Sequence, residues 1–191
     1  YQIENTPGAS SNQINDWLPI NSTSKILQSL YIAENSNPIG EKEKLNSAND
    51  ASSYTKWHRQ FHPQIKSYLE KFGYYDIFIA DIETGNIVYS VFKEVDYATN
   101  LTSGPYKDSG IGQVFKAIRN SSDKDFTYMT DFASYSPSYN AAAAFMGSPI
   151  YDGSKKIGAL IFQASIDIID AVMTNNNSWK KIGLGDSGEV Y

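Results

Sequence analysis

The chain of 191 residues contains no cysteine, only two arginines and no long apolar run, and each shortage excludes a class of protein or site. Without cysteine there is no disulfide framework, no thiolate metal site and no cysteine nucleophile. Without about 18 consecutive apolar residues, no segment of this sequence is expected to span a membrane as a helix. The net charge of −5 and the lack of an extended Lys/Arg cluster argue against non-specific binding to nucleic acid.

Catalytic and metal-binding motifs are also scarce. His58 and His62 are four residues apart on a predicted helix, but no Glu follows His58 as a zincin motif requires. We therefore predict that both are surface or boundary residues. The acidic pairs Asp76/Asp81 and Glu94/Asp96 have the residue types of a glycosidase dyad, but Asp76 and Asp81 are expected to bracket a strand and no further feature favours that chemistry. The sequence predicts a protein that is not an enzyme, with no catalytic residue, no metal and no cofactor.

The apolar periodicity changes from helical to strand-like at Gly73. Capping residues at 21–24 predict a short first helix, and apolar residues at spacings of three and four predict a longer helix from about Asp50. Pro63 lies inside the longer helix and is expected to kink or split it. Gly73 follows the last periodic residues, as a C-terminal cap does.

The residues after Gly73 favour strands. Aromatic and β-branched runs predict five strands, over residues 74–81, 87–92, 126–135, 141–151 and 156–166. Turns at 83–86 and 152–155 join the first two and the last two strands into hairpins. Helices are predicted over 109–118 and 166–173. The order predicts an α+β fold, a PAS-like five-stranded antiparallel sheet with the long N-terminal helix packed on one face.

Eight short segments between about residues 31 and 173 carry a family pattern. They are Tyr31-Ile32-Ala33-Glu34-Asn35 with Gly40-Glu41-Lys42, Phe72-Gly73-Tyr74-Tyr75-Asp76-Ile77-Phe78, Ile87-Val88-Tyr89-Ser90-Val91-Phe92-Lys93-Glu94, Thr99-Asn100-Leu101, Gly104-Pro105-Tyr106-Lys107-Asp108-Ser109, Asp131-Phe132 and Gly158-Ala159-Leu160-Ile161-Phe162-Gln163. In this order and spacing they resemble the periplasmic Cache domains, a PAS-like family of sensor domains in bacterial chemoreceptors and sensor histidine kinases.

The resemblance implies three parts. Residues 1–72 form an N-terminal loop and helical region, residues 73–174 the membrane-distal PAS-like module, and residues 175–191 a linker with the first strand of a second module that is cut off. Alternatively, the strand over 182–191 completes the same domain. The implied parent is an inner-membrane receptor whose membrane anchors and cytoplasmic output domain lie outside this sequence.

In this family the ligand lies between the sheet face and the segment that joins strands two and three. Residues 97–109 supply the aromatic, amide and charged groups that pockets use. Asp131 stands in an aromatic run, where an acid is costly to bury alone, so it either holds a ligand amine or pairs with a local Lys or backbone N–H group. The candidate ligand-binding residues, each of which could instead belong to the core, are Tyr89, Phe92, Tyr106, Lys107, Tyr128, Asp131, Tyr135 and Phe145.

The chain departs from the amino-acid-binding subgroup of the family, which uses an Arg-x-Trp motif after strand two and an Asp on the last strand. Here the corresponding stretches are Pro105-Tyr106-Lys107-Asp108-Ser109 and Phe162-Gln163-Ala164. A bidentate Arg clamp on a ligand carboxylate is therefore not expected. Lys93 or Lys107 could hold an anion only as a point charge.

The function predicted from these features is extracytoplasmic sensing of a small molecule of unknown identity. Binding would shift the population of two packings and signal to a chemotaxis, kinase or cyclic-dinucleotide output. The alternative is an interaction or dimeric spacer module that binds a partner protein and no small molecule. Converging polar groups in the pocket favour the first function, and a pocket filled by its own side chains favours the second. The oligomeric state is left open between monomer and homodimer.

Overall fold

A computed structural model describes residues 18–19 and 21–166, together with residues 171, 173, 175, 178 and 181. The helices are α1 (Ser22–Gln28), α2 (Ser53–Phe72) and α3 (Gly110–Asn120). A π-helical turn, Ser29–Ala33, follows α1 directly. The helix predicted over 166–173 lies for the most part outside the described residues, and the strand predicted over 182–191 lies entirely outside them.

One antiparallel sheet organises the described chain. Its strands are β1 (Asp76–Asp81), β2 (Ile87–Ser90), β3 (Tyr128–Met129), β4 (Ala133–Tyr135), β5 (Ala141–Asp152) and β6 (Lys155–Ser165). The spatial order is β2-β1-β6-β5-β3, and β4 also pairs with β5. The α+β fold with a PAS-like antiparallel sheet is confirmed.

The third predicted strand, over residues 126–135, is divided into β3 and β4. Both pair with β5, but the chain uses one residue more between Met129 and Ala133 than β5 uses between Met146 and Ala143. An extra residue of this kind is a bulge, which interrupts the ladder and bends the strand. The prediction of five strands therefore holds for the five positions across the sheet, and the single strand over 126–135 was wrong.

The two faces of the sheet pack against different partners because alternate residues of a strand point to opposite sides. Ile77 and Tyr89 face α2 and pack with Leu69. Phe78 faces the other way, into the larger core with Phe145 and residues of α3. The predicted packing of the long helix on one face is confirmed, and the opposite face packs against α3 and the chain that precedes it.

Helix α2 begins and ends as the sequence predicts. The side chain of Ser52 accepts a hydrogen bond from the Thr55 N–H, and Gly73 caps the C-terminus with a left-handed φ of 74°. Of the kink or split expected at Pro63, the split does not occur, because α2 continues through this residue over 20 residues. The side chain of Pro63 is exposed, so its ring is not crowded by other elements at this point of the helix.

The prediction that His58 and His62 are surface or boundary residues was also wrong, since both are buried. Residues 41–50 and strand β2 cover the face of α2 that carries them. His62 contacts the Tyr89 hydroxyl and the Glu43 carbonyl, each at 2.7 Å, and His58 contacts the Asn46 carbonyl at 2.9 Å. Burial lowers the pKa of His58 to about 3 and that of His62 to about 4, so both rings are neutral at physiological pH.

Pro63 offers a test of how much strain α2 carries. Replacing Pro63 with Ala restores an N–H that can donate to the Arg59 carbonyl and removes the clash of the ring with the preceding turn. We expect the free energy of unfolding to rise by about 2 kcal/mol, since proline in a helix interior costs ~3 kcal/mol and its loss frees the unfolded chain. Urea denaturation measures the change. The exposed neighbour Gln64→Ala is the control and should leave stability nearly unchanged; a loss of stability in Pro63→Ala would contradict the prediction.

Candidate functional site

A row of three side chains crosses the sheet on the face opposite α2. Asp76 of β1 pairs with Gln163 of β6, which pairs in turn with Phe145 of β5. All three side chains are buried. Residues 91–109, between β2 and α3, cover this row and are called the covering segment below. The buried row therefore lies between the sheet face and the segment that joins the second strand to the next helix, where the family resemblance predicts the ligand site.

Two acids from the covering segment reach down to the row. The Tyr135 hydroxyl donates to Asp96 Oδ2 at 2.7 Å. Glu94 accepts from Tyr75 at 2.8 Å and from Ser138 at 3.0 Å. Gln163 Nε2 completes the connection by donating to the Ser138 hydroxyl at 2.8 Å. The residues of this buried polar cluster are Glu94, Asp96, Tyr106, Tyr135, Ser138 and Gln163.

Three atoms of the buried polar cluster have no hydrogen-bond partner. They are Asp96 Oδ1, Gln163 Oε1 and the Tyr106 hydroxyl. The residues that carry them are 0%, 2% and 3% exposed, respectively. Buried polar atoms in folded proteins are nearly always hydrogen-bonded, and exceptions point to strain, an unseen water or ion, or a functional role. Three exceptions in one cluster mark it as the candidate site.

The acids of the cluster resist ionisation. Burial raises the pKa of Asp96 to about 7, and the charge of Asp76 adds to the rise. Burial likewise raises the pKa of Glu94 to about 8, with a further contribution from Asp96. Carboxyl groups with strongly perturbed pKa values cluster at functional sites.

Asp76 has a different role, because both of its carboxylate oxygens accept hydrogen bonds from other groups of the protein. Its Oδ1 accepts from the N–H groups of Ile77, Val91 and Phe92 at 2.6, 2.9 and 3.1 Å, and its Oδ2 accepts from Ser90 at 2.7 Å. These bonds oppose the rise in its pKa that burial causes. Asp76 therefore fixes the turn by which the chain leaves β2 and enters the covering segment.

Lys93 is buried beside Asp76 and is held by the protein's own aromatic rings. Its ammonium lies 4.6 Å from the ring centre of Tyr89, 5.3 Å from that of Tyr97 and 5.8 Å from that of Tyr31. It also donates to the Ser90 carbonyl. Burial lowers the pKa of Lys93, while Asp76 acts in the opposite direction. Lys93 is thus already engaged by cation–π contacts and is not placed at the protein surface as an anion site.

The eight side chains predicted to bind a ligand do not form one group. Tyr106, Tyr135 and Phe145 meet in the site, with ring centres 5.9 Å apart for Tyr106–Tyr135 and 4.9 Å apart for Tyr135–Phe145. Tyr89 lies on the α2 face of the sheet beside His62. Phe92 is half-buried and stacks on Tyr75 at 5.0 Å.

The remaining three predicted residues, Lys107, Tyr128 and Asp131, are exposed. Asp131 lies in the bulge between β3 and β4 and accepts a hydrogen bond from the Phe132 N–H at 2.7 Å. The sequence left open whether Asp131 holds a ligand amine or pairs with a local Lys or backbone N–H group. The structure shows a hydrogen bond with a backbone N–H group. Asp131 carries no desolvation cost, because the bulge turns its side chain towards solvent.

Sequence reasoning missed Asp96, Glu94, Ser138 and Gln163 as members of one site. The signal for the first two was present in Lys93-Glu94-Val95-Asp96, three charged residues directly after a buried strand. Gln163 was noted only because it stands where relatives carry an acid. Ser138 gave no signal, since it comes from the 3-10 turn Ser136–Ser138 that precedes β5.

One concavity that the structure describes lies against the covering segment. It is a groove of about 600 Å³ lined by Asn86, Asn100, Pro105, Lys107 and their neighbours. None of the residues of the buried polar cluster lines it. The Asn100 side chain is already occupied, because its oxygen accepts from Thr102 and Ser103 and its nitrogen donates to Thr84 and Asn86.

The described residues contain neither a cluster of metal-ligating side chains nor a helix that could span a membrane. Within that part of the chain, no group of three or more His, Asp or Glu side chains is placed to hold a metal ion. No helix that the structure describes combines the length and the apolar character needed to cross a membrane.

No family model and no curated protein sequence matches the chain. Solved structures that resemble it include the sensor domain of the Vibrio cholerae histidine kinase DctB, at 14% identity, TM-score 0.43, over 78% of this chain and 55% of that one. The Escherichia coli DcuS sensor domain is 13% identical, with a TM-score of 0.38, over 78% and 96% of the two chains. The ligand-binding domain of the Pseudomonas aeruginosa chemoreceptor PctC, solved with GABA, is 10% identical, with a TM-score of 0.42, over 80% and 60%.

These structures are sensor domains of kinases and chemoreceptors, the class that the sequence motifs resemble. The chain spans little more than half the length of the DctB domain.

Proposed function

We propose that the chain is an extracytoplasmic ligand-sensing domain of a bacterial transmembrane signalling receptor, without catalytic activity, and that it binds a small molecule between the sheet and the covering segment. The observation that carries this proposal is the set of three unpartnered atoms in the buried polar cluster. A ligand that reaches them recovers hydrogen bonds that the protein alone leaves unmade. The parent protein would lie in the inner membrane, with this domain in the periplasm.

The covering segment is the element that would move when the ligand binds. Lys93 and Ala98 within it adopt left-handed φ values of 60° and 62°, which cost non-glycine residues energy. Strained residues of this kind cluster at ligand clamps and switch regions, because a second packing can relieve the strain. The ligand would shift the population between the two packings and so signal to a cytoplasmic output domain.

A second function, an interaction or dimeric spacer module, is supported by the outer surface of α2. Four aromatic side chains are exposed along this helix: Trp57, Phe61, Tyr68 and Phe72. The rings of Trp57 and Phe61 stack at 5.8 Å. Exposed apolar patches of this kind mark surfaces for protein partners or a second copy. This function predicts that no small molecule stabilises the domain.

A thermal-shift screen with small metabolites distinguishes the two functions. A ligand present at 100 times its Kd stabilises the folded state by about 2.7 kcal/mol, which raises the Tm of a domain of this size by roughly 5–11 °C. We expect at least one metabolite to produce such a rise. The same compound should not stabilise a variant in which Ala143, whose side chain faces the site, is replaced by Phe. If no compound in a broad screen shifts the Tm, the sensing proposal fails and the interaction module is favoured.

A further inference from the structure

Residues 94–97 of the covering segment form a compact turn, called the acidic turn below, which carries both acids of the buried polar cluster. The Tyr97 N–H closes the turn by donating to the Glu94 carbonyl at 3.0 Å. Lys93 before the turn and Ala98 after it adopt left-handed φ values of 60° and 62°. Such conformations cost non-glycine residues energy and persist only where surrounding contacts hold them. Two strained residues therefore bracket the acidic turn.

Hydroxyl groups hold both acids of the turn from the inside of the domain. Tyr75 donates to Glu94 Oε1 at 2.8 Å, and Ser138 donates to Glu94 Oε2 at 3.0 Å. Tyr135 donates to Asp96 Oδ2 at 2.7 Å, whereas Asp96 Oδ1 is buried without a hydrogen-bond partner. An ionised Asp96 would thus keep one charged oxygen out of water with no donor to compensate it.

The groups that face the two acids supply negative charge or none. Burial is the main cause that raises the pKa values of Glu94 and Asp96, and the charge of Asp76 on β1 adds to the rise in both. The tyrosines that face them stay neutral because burial raises their pKa values; they are Tyr75, Tyr106 and Tyr135. The remaining partners, Ser138 and Gln163, do not titrate.

No cation among the described residues neutralises the acidic turn. The salt bridges in this part of the chain involve carboxylates other than Glu94 and Asp96. Lys93 precedes the turn, but its ammonium lies among three tyrosine rings, donates to the Ser90 carbonyl and interacts with the charge of Asp76. A buried acid without a counter-charge is costly to ionise, so ionisation favours a conformation that exposes it to water.

Helix α1 holds the acidic turn from its other side. Gln28, the last residue of α1, donates from Nε2 to the Val95 carbonyl at 3.1 Å and to the Tyr97 carbonyl at 2.7 Å. The side chain of Val95 is 37% exposed, between the two buried acids. Any movement of the turn away from the sheet must change these two bonds, so the position of the turn is linked to α1.

We infer that the acidic turn is a pH-sensitive switch, which packs against the sheet when Glu94 and Asp96 are protonated and leaves the sheet when they ionise. Release lets Lys93 and Ala98 relax from their strained conformations, which lowers the cost of opening. It also changes the contact with Gln28 and so reaches α1. The input is the proton itself, so the switch needs no ligand and goes beyond the proposed sensing function.

The direction of the pH effect follows from the two acids. In the open turn water surrounds them, so their pKa values return to the ordinary 3.8 for Asp96 and 4.5 for Glu94, whereas in the closed turn they are about 7 and about 8. The closed turn is therefore fully favoured below pH 4 and loses this advantage as the pH rises through 7 and 8. His58 and His62 have lowered pKa values and act with the opposite sign.

Pulsed electron–electron resonance on the whole chain tests the switch, and the absence of native cysteine lets two introduced cysteines carry the spin labels alone. Val95→Cys places one label on the exposed side of the turn, and Lys116→Cys places the other on the exposed face of α3. We expect the ratio of open to closed distances to rise at least tenfold between pH 5.5 and pH 8.5, since each unit of difference in pKa shifts such a ratio by up to tenfold. The reference pair Gln64→Cys and Lys116→Cys should give one distance at both pH values.

Variants that cannot ionise assign the effect to the two acids. Glu94→Gln combined with Asp96→Asn keeps the size of both side chains, and we expect this double variant to stay closed at pH 8.5. It retains Asp76 and Lys93, so a pH response due to that pair would persist in it. Asp108→Asn changes an exposed acid of the same covering segment and should respond to pH as the unmodified turn does. Circular dichroism verifies that each labelled protein is folded.

Three results would overturn the inference. They are an unchanged Val95–Lys116 distance between pH 5.5 and pH 8.5, an equal change in the folded double variant, and an equal change in the reference pair, which would mean that the whole domain rearranges. A metabolite that stabilises a domain whose turn ignores pH would refute the switch and leave the sensing function standing. A turn that opens with rising pH in a domain that binds no compound would support the switch and refute only small-molecule sensing.

Discussion

Replacement of Asp76 by Ala is expected to lower the free energy of unfolding by about 3–5 kcal/mol, because it removes the acceptor of four hydrogen bonds in a fully buried position. The N–H groups of Ile77 and Phe92 and the Ser90 hydroxyl would lose this acceptor in a site that water does not reach. Lys93 would lose the acid that favours its charged form. Guanidinium or urea denaturation at pH 7 measures the loss.

A matched control separates this effect from the general cost of removing an acid. Asp131 also accepts a backbone N–H bond from the residue that follows it, but its side chain is exposed. Asp131→Ala should therefore change stability little, because water replaces the carboxylate at the N–H group. Similar losses in the two variants would show that Asp76 does not hold the turn after β2.

The stability of the domain is expected to fall with rising pH through the pKa of Asp96. The pKa of this acid is raised from an ordinary value of 3.8 to about 7, so between these values the folded state holds a proton that the unfolded state has lost. The stability that the folded state gains from this proton is fully present below pH 4 and is lost as the pH rises through 7. Across that window we expect the wild type to lose about 4 kcal/mol relative to Asp96→Asn, which has no proton to lose.

The comparison with Asp96→Asn cancels the titration of groups whose pKa does not depend on Asp96. His58 and His62 have lowered pKa values and act with the opposite sign, losing stability as pH falls below 6.5. Both histidines are present in the two proteins, so their effects cancel. Glu94 adds to the expected trend, because Asp96 contributes to the rise in its pKa. Denaturation at pH 4.5, 6, 7.5 and 8.5 checks the slope, and a difference that is constant or rises with pH would contradict the assignment.

Most of the fold could be predicted from the sequence, because at most helices and strands the local sequence signals agree with the tertiary structure. The two hairpins have clear turns at 83–86 and 152–155, and Ser52 and Gly73 cap α2 with side-chain and backbone chemistry that depends on neighbouring residues alone. The misplaced features depend on distant contacts. The bulge that divides β3 from β4 exists only by pairing with β5, and His58 and His62 are buried only because residues 41–50 cover α2.

The site was predicted less well than the fold. The family resemblance predicted a ligand site between the sheet and the covering segment, and three of the eight predicted residues, Tyr106, Tyr135 and Phe145, contact one another there. The sequence did not predict that Glu94 and Asp96 belong to this cluster. Asp96 meets it through a hydrogen bond from Tyr135, which lies 39 positions away in the chain. Asp131 looked buried from its aromatic neighbours, yet the bulge exposes it, and period-two patterns cannot predict which residue a bulge will turn outward.

Tyr97 links the covering segment to helix α2, and this link has a thermodynamic consequence. Its hydroxyl donates to the Tyr54 hydroxyl at 2.7 Å, and Tyr54 donates in turn to the Val88 carbonyl of β2 at 3.0 Å. A ligand that repositions the covering segment must therefore change the free energy of α2. Coupling of this kind is reciprocal. If the ligand changes the affinity of α2 for a partner molecule that binds its exposed aromatic side chains, that partner changes the affinity for the ligand by the same factor.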